Sequence, residues 1–270
     1  MAGIDAVITD LHALERLALE DSLLHRLDPR AKLLTTLIFV ACVASFGKYE
    51  ISALVPFAIF PVALVAAGNL PLRPILKRTI LLLPFPLMVG IFNPLIDREI
   101  MVQLGPAAIS GGWVSLASIF LRSLLTLSAA LVLVSVTGFP HICGALERFG
   151  VPRVFVVQLL FLHRYLHVLA EEGGRMARAR EFRSFGRHGM GVRPTAALLG
   201  NLLLRTWDRA GRIHHAMLCR GFRGEFPVRR AFHFGVPELL FTCGWSAIFI
   251  LLRMGNLSRL VGGLLMEVVR

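Results

Sequence analysis

Long apolar runs separated by short polar turns dominate the sequence. Five of these runs approach the roughly 17–25 residues that a helix needs to cross the hydrocarbon core of a bilayer. They comprise residues 31–46, 51–67, 75–96, 113–137 and 236–252. Prolines inside the second and third runs are expected to kink or locally unwind those helices. The pattern therefore predicts an all-α integral membrane protein with about five transmembrane helices.

A different periodicity occupies residues 138–234, between the fourth and fifth apolar runs. Apolar and charged residues recur there at helical spacing over 153–183 and again over 194–219,. In the first stretch, Glu171 and Arg175 stand at an i,i+4 spacing that favours an ion pair,. The region is thus predicted to contain two long amphipathic helices and a shorter one.

Composition and charge place these elements relative to the membrane. The chain is 56% hydrophobic, above the roughly 45–50% of soluble domains, and carries a net charge of +12,. More than half of its 29 Lys and Arg residues lie between residues 141 and 234, and most of the others lie in segments 1–32 and 68–78. Because positive residues concentrate on the cytoplasmic side, we expect these segments in the cytoplasm.

The predicted organisation follows from the spans and the charge. It consists of a cytoplasmic N-terminal segment (1–30), transmembrane helices 1–4 (31–137), a cytoplasmic domain (138–234), and transmembrane helix 5 with a C-terminal tail (235–270). Arginines in the cytoplasmic domain interleave with apolar helix faces. That interleaving favours membrane lipids and an acidic protein partner over nucleic acid.

Residues that could support catalysis are few. The sequence has no G-x-x-x-x-G-K-[ST] motif, so we do not expect this chain to hydrolyse ATP itself,. His163 and His167 form an i,i+4 pair that could hold a metal ion, although such a pair without a third ligand more often packs,. A membrane metalloenzyme using this pair is one alternative. The favoured expectation is a chain without a metal or cofactor of its own.

Arg122 is the charged residue inside the fourth apolar run. A charge within the bilayer is costly unless it is paired or lies near the interface. Arg122 is therefore a candidate for an intramembrane contact with a partner, and a position near the outer interface is the alternative.

Both long amphipathic stretches end in an arginine followed by a small residue, Arg183-Ser184 and Arg220-Gly221. A purely structural interpretation is available, because arginine suits the C-terminal end of the helix dipole and a small residue lets the chain turn away. The functional interpretation is a guanidinium presented for bidentate capture of a carboxylate on a partner. Its occurrence on two successive helices favours the functional interpretation.

Residues 22–33, which read SLLHRLDPRAKL, resemble the start of the first span in the T components of energy-coupling factor (ECF) transporters. In that family, short Ala-Arg-Gly or Ala-Arg-Ser motifs end the cytoplasmic coupling helices. Arg183-Ser184 and Arg220-Gly221 match the second and third positions of those motifs. The resemblance extends over essentially the whole chain and is strongest to the cobalt/nickel branch, of CbiQ or NikQ type.

Both motifs depart from the family at their first position, where Phe182 and Cys219 replace alanine. For the first motif, a register shifted to Arg178 or Arg180 would keep the preceding alanine. The arginine of the first motif is therefore left open among these positions, whereas Arg220 is assigned to the second.

The resemblance implies a non-catalytic scaffold subunit for cobalt or nickel import, located in the bacterial cytoplasmic (inner) membrane. It also implies a pair of cytoplasmic ATPases of CbiO or NikO type that bind Arg183, Ser184, Arg220 and Gly221. A substrate-binding S component of CbiM or NikM type would bind in the membrane, with a small CbiN-type subunit as a further partner. A T subunit that serves vitamin-specific S components is the alternative within transport.

Overall fold

A computed structural model describes residues 17–18, 22–96, 100–104, 107–183, 191–224 and 235–254. These residues form two compact units. One unit contains the described residues between 139 and 224. The other contains the described residues up to 138 together with 235–254.

Helices make up most of both units. In chain order the elements are α1 (Leu23–Arg26), α2 (Pro29–Ala44), α3 (Ile51–Leu54), a short 3-10 helix (Val55–Ala58), α4 (Ile59–Ala67), α5 (Leu72–Leu82), α6 (Pro84–Gly90), α7 (Asn93–Ile96), β1 (Ile100–Leu104), β2 (Ala107–Ser110), α8 (Gly111–Thr137), α9 (Phe139–Arg148), α10 (Arg153–Arg183), α11 (Val192–Cys219) and α12 (Val236–Met254). Strands β1 and β2 pair antiparallel. Helices α9–α11 belong to the first unit, and the remaining elements belong to the second.

The start of α2 shows how the local sequence determines a helix boundary. The side-chain Oδ1 of Asp28 accepts a hydrogen bond from the backbone N–H of Arg30 at 2.8 Å. Pro29 occupies the first turn, where its missing N–H would have no helical partner in any case,. The Asp-Pro-Arg sequence thus caps the helix and presets its first dihedral angle.

An aromatic cluster forms the core of the unit that contains α2. The side chain of Phe39 is fully buried, and its ring centroid lies 4.6 Å from that of Phe60 and 5.4 Å from that of Phe249. Trp245 meets Phe60 edge to face at 5.0 Å. These contacts join α2, α4 and α12. Since lipid tails are as apolar as these rings, close packing rather than transfer from water stabilises their association in a bilayer.

The prediction of a helical membrane protein is confirmed at the level of its helices. Within the described residues, α8, α10 and α12 are long and apolar enough to cross a bilayer, and residues 51–67 form a shorter apolar stretch. Helix α10 meets this criterion although the charge pattern assigns it to the cytoplasm. The count of five spans and the side of the membrane on which each segment lies stay predictions.

The third apolar run contains a break of the kind that its prolines led us to expect. It is divided into α5, α6 and α7, and the first break falls at Leu83, directly before Pro84. Proline has no N–H for the helical ladder and crowds the preceding turn, so the run cannot continue as one regular helix. Helix α5 also begins at Leu72, which places Arg73 inside a helix rather than in the predicted turn.

The hairpin of β1 and β2 was not predicted. It lies between α7 and α8, and the sequence between its strands, Gly105-Pro106, is typical of a turn,. Its strands are only 5 and 4 residues long, which is too short for an alternating pattern to stand out from the apolar runs on either side,.

We expect Phe39→Ala to destabilise the protein by about 3–5 kcal/mol, because the substitution removes a fully buried ring and leaves a cavity,. Titrations that unfold the protein in mixed detergent micelles measure the difference in unfolding free energy between the variant and the unchanged chain. Phe85→Ala is the matched control, since that ring is 79% exposed and its loss should change the unfolding free energy by less than about 1 kcal/mol,. Equal losses for the two variants would show that the aromatic cluster does not hold the helices together.

Candidate functional site

The two long helices α10 and α11 run antiparallel within their unit. Phe161, early in α10, lies against Phe222, just after α11, with 6.4 Å between ring centroids. At the other end of the pair, Arg183 and Pro194 line the same crevice. Arg183 and Arg220 therefore lie at opposite ends of the helix pair, and the side chains of both are exposed.

The second motif is a helix cap of the Schellman type. Arg220 is the capping residue, and Gly221 adopts a φ of 76°. The N–H of Gly221 donates to the carbonyl of Leu218, and the N–H of Phe222 donates to the carbonyl of Met217, both at 3.0 Å,. The left-handed backbone at this position explains the glycine. The structural interpretation of the second motif is thus correct as far as the glycine is concerned.

The cap also positions Arg220. Because Phe222 turns back onto α10, the end of α11 is anchored on both sides of the arginine. The guanidinium projects from this end into open space, at the pole of the helix where partial negative charge accumulates,. The functional role of Arg220 stays a prediction, but its accessibility is what that role requires.

The first motif lies at the last residue of α10. Arg183 lines a crevice of about 670 Å³ together with three further arginines, Arg175, Arg180 and Arg205. Arg180 is partly buried in the crevice, whereas Arg183 is exposed at the helix end. Ser184 lies outside the described residues, so the choice between Arg183 and a shifted register stays open.

Glu172 joins the two helices, a role that the sequence analysis missed. Its Oε2 accepts a hydrogen bond from Nη2 of Arg175 at 2.7 Å, and its Oε1 accepts one from Nη1 of Arg205 on α11 at 2.9 Å. The hydrogen bond from Arg175, followed by that from Arg205, lowers the pKa of the Glu172 carboxyl. Arg175 is closer to Glu172 than to its predicted partner Glu171, which lies 4.0 Å away.

Arg122 finds an acceptor within the chain. Its Nη2 donates to the backbone carbonyl of Gly47, in the segment that follows α2. Arg253 approaches the same segment, where it donates to the carbonyl of Ser45 at 2.9 Å and lies 4.3 Å from the ring centroid of Phe46. Two arginines from different helices thus hold the turn after α2. A contact of Arg122 with a partner chain stays a prediction.

The packing of the His163 and His167 rings accounts for their proximity. They meet edge to face with 5.2 Å between centroids, and His163 stacks on Phe139 at 4.7 Å. Nδ1 of His167 is 3.0 Å from the carbonyl oxygen of His163. No group of three or more His, Cys, Asp and Glu side chains able to hold a metal ion occurs in the part of the chain that the structure describes. The geometry gives no support to the metalloenzyme alternative.

Known proteins resemble this chain over most of its length. Residues 20–233 match the family CbiQ, described as cobalt transport protein. An energy-coupling factor transporter transmembrane protein EcfT of Heliobacterium modesticaldum is 30% identical over 254 residues, which cover 86% of this chain and 92% of that protein. A cobalt transport protein CbiQ of Salmonella typhimurium is 30% identical over 152 residues, covering 52% and 67% respectively. The EcfT of Bacillus subtilis is 26% identical over 220 residues, covering 75% and 82%.

Gly221→Ala should destabilise the end of α11 by about 1–2 kcal/mol, because an alanine at a φ of 76° adopts the left-handed conformation at a steric cost,. Hydrogen exchange at the amides of the last turn measures the effect. Gly200→Ala, inside α11 and with no atom within 4 Å of an added Cβ, provides a control of opposite sign,. Unchanged exchange in the Gly221 variant would contradict the assignment of the cap.

Proposed function

The chain belongs to the CbiQ family of transporter membrane components, and on that premise we propose that it is the T subunit of an ECF importer for cobalt or nickel. In this role it would hold a pair of cytoplasmic ATPases at one face and a substrate-binding S component in the membrane. The observation that carries the proposal is the placement of two exposed arginines, Arg183 and Arg220, at opposite ends of one antiparallel helix pair.

The spacing of the two arginines supports an interaction with two separate chains. Pro194 lies at the level of Arg183, and 26 residues of helical chain separate Pro194 from Arg220. At a rise of about 1.5 Å per residue, the two arginines therefore lie roughly 40 Å apart along the helix pair. A single small groove does not span that distance. Two ATPase subunits, each with an acidic groove for one helix end, would fit it.

The chemistry of each end supports an acidic partner. A guanidinium offers a planar fork of donors that a carboxylate accepts in bidentate fashion. At the Arg183 end, Arg175, Arg180 and Arg205 line the same crevice and add to the positive potential. We propose that acidic side chains of the ATPases pair with Arg183 and Arg220 when the helix ends enter their grooves.

An apolar surface on the same helix pair supports contact with a membrane-embedded partner. Three large apolar side chains are exposed there and line an apolar groove of about 440 Å³ between α10 and α11: Leu162, Leu203 and Trp207. A purely water-exposed pair of helices would be expected to carry polar side chains at these positions. We propose that this surface meets the S component or the inner leaflet, with the N-terminus and residues 138–234 cytoplasmic and five helices spanning the bilayer.

The family description and the name of the Salmonella typhimurium relative support cobalt or nickel as the substrate. The EcfT relatives carry no substrate in their names, which keeps vitamin-specific S components as the alternative. Uptake of radiolabelled cobalt, nickel and vitamins by cells that express the chain with its neighbouring genes separates the two. Uptake of a vitamin without either metal would overturn the assignment of the substrate.

We expect the double substitution Arg183→Ala and Arg220→Ala to abolish co-purification of the ATPases and metal uptake. Each single change should weaken ATPase binding by at least about 30-fold, since it leaves an acidic partner desolvated and unpaired. Titration of the purified ATPases against the chain in nanodiscs measures the affinities.

Arg209→Ala is the matched control for charge, because Arg209 is an exposed arginine in the middle of α11, about 16 Å along the helix from Arg220 and about 22 Å from the level of Arg183,. Its affinity for the ATPases should equal that of the unchanged chain. Full ATPase binding and uptake in the double variant would refute the role of the two helix ends. If Arg183→Ala alone kept full affinity while Arg178→Ala or Arg180→Ala lost it, the first motif would move to the shifted register.

A further inference from the structure

One charged bridge links the two long helices midway along their length. The carboxylate of Glu172 uses its two oxygens separately, with Oε2 on Arg175 of its own helix and Oε1 on Arg205 of α11. The two donor–acceptor distances, 2.7 and 2.9 Å, are those of charge-assisted hydrogen bonds,. Glu172 is less exposed than either arginine, with 21% of its side chain accessible against 57% and 65%.

Open space borders this bridge on both sides. Glu172 and Arg205 line the crevice of about 670 Å³ toward Arg183, and they also line a second crevice of about 540 Å³ toward Arg212. The bridge therefore lies between two crevices that open on either side of it along the helix pair. It is a polar connection between α10 and α11 at this level.

The residue after Glu172 faces the neighbouring helix. A Cβ added to Gly173 would lie 3.7 Å from Cδ2 of Leu202 on α11, which is ordinary van der Waals contact. The backbone of α10 therefore lies within one side chain of α11 at this level. A carboxylate placed beside Gly173 can reach a guanidinium on the other helix, whereas the outward-facing Glu171 lies 4.0 Å from an arginine of its own helix.

We propose that Glu172 is a positioning residue that fixes the crossing of α10 and α11, and with it the separation of Arg183 and Arg220. Its importance for transport rests on the proposed function, but its effect on helix geometry does not. A glutamine at this position keeps one acceptor oxygen and turns an amide NH₂ toward the second arginine. The glutamine can therefore accept a hydrogen bond from the arginine of one helix but not from the arginines of both helices.

The distance between the two helix ends tests the proposal directly. Spin labels on Cys219 and on a cysteine replacing Phe182 would stand one residue before each arginine, and both positions are exposed. Cys42 and Cys243 would be replaced by alanine. Cys143 can stay, because it is buried and burial raises the pKa of its thiol to about 11, which keeps it unreactive to the label,. Double electron–electron resonance on the full chain in lipid nanodiscs gives the distribution of distances.

We expect one narrow distribution for the labelled parent and a broadened or shifted one for Glu172→Gln. Glu171→Gln is the matched control and should leave the distribution unchanged, since its partner lies on the same helix. The exchange of charges in Glu172→Arg with Arg205→Glu should restore the narrow distribution. That rescue distinguishes positioning by the bridge from a general loss of structure. Identical distributions for the parent and Glu172→Gln would overturn the proposal, as would a broad distribution for the exchanged pair.

Transport in the assembled complex provides the second readout. The Glu172→Gln variant should still co-purify with the ATPases, but its metal uptake should fall about three- to ten-fold. A decrease of this size is typical of residues that modulate coupling between sites. Glu171→Gln should transport normally. If the parent chain retained no ATPases, the proposed function would fail while the distance measurement still decided the role of Glu172. If ATPases bound and Glu172→Gln transported normally, only the importance of the positioning for transport would be lost.

Discussion

Helix termini leave backbone amides and carbonyls without helical partners, and in a chain built almost wholly from helices this constraint decides where many polar side chains lie. Asp28 satisfies an amide at the start of α2. Arg122 and Arg253 satisfy carbonyls in the turn that follows α2. These arginines thus serve the backbone of their own chain. The arginines that remain exposed at helix ends are therefore the better candidates for recognition of a partner.

The second motif shows that structural and functional explanations need not exclude each other. Gly221 is required by the left-handed turn that ends α11, whatever the protein does,. The same turn stops the helix directly after Arg220 and returns Phe222 to the neighbouring helix. A guanidinium held at the tip of a stiff element loses little conformational freedom when it binds, which favours its use in transmitting movement.

Local signals predicted the long helices well and their mutual contacts poorly. The bounds expected for α10, residues 153–183, are those observed, because Gly150 ends α9, Pro152 directly precedes α10, and the periodic pattern runs unbroken to its end,. The prolines of the third apolar run indicated a disturbed helix, but hydropathy alone gave neither the position of the break at Leu83 nor the division into three helices,. Glu171 and Arg175 do lie 4.0 Å apart, as their i,i+4 spacing suggested, but Glu172 at i,i+3 makes the shorter contact with Arg175,. The contact from Glu172 to Arg205 depends on how two distant helices cross, and no local pattern encodes it.

The position of the charged bridge makes the helix pair a lever with unequal arms. From Glu172 to Arg183 the arm on α10 is about 16 Å long, and from Arg205 to Arg220 the arm on α11 is about 22 Å long,. If the bridge fixes the crossing, both arms turn through the same angle, and the tip that carries Arg220 moves about a third further than the tip that carries Arg183. Under the proposed function, partners bound at the two helix ends would therefore be displaced by unequal amounts when the helix pair turns.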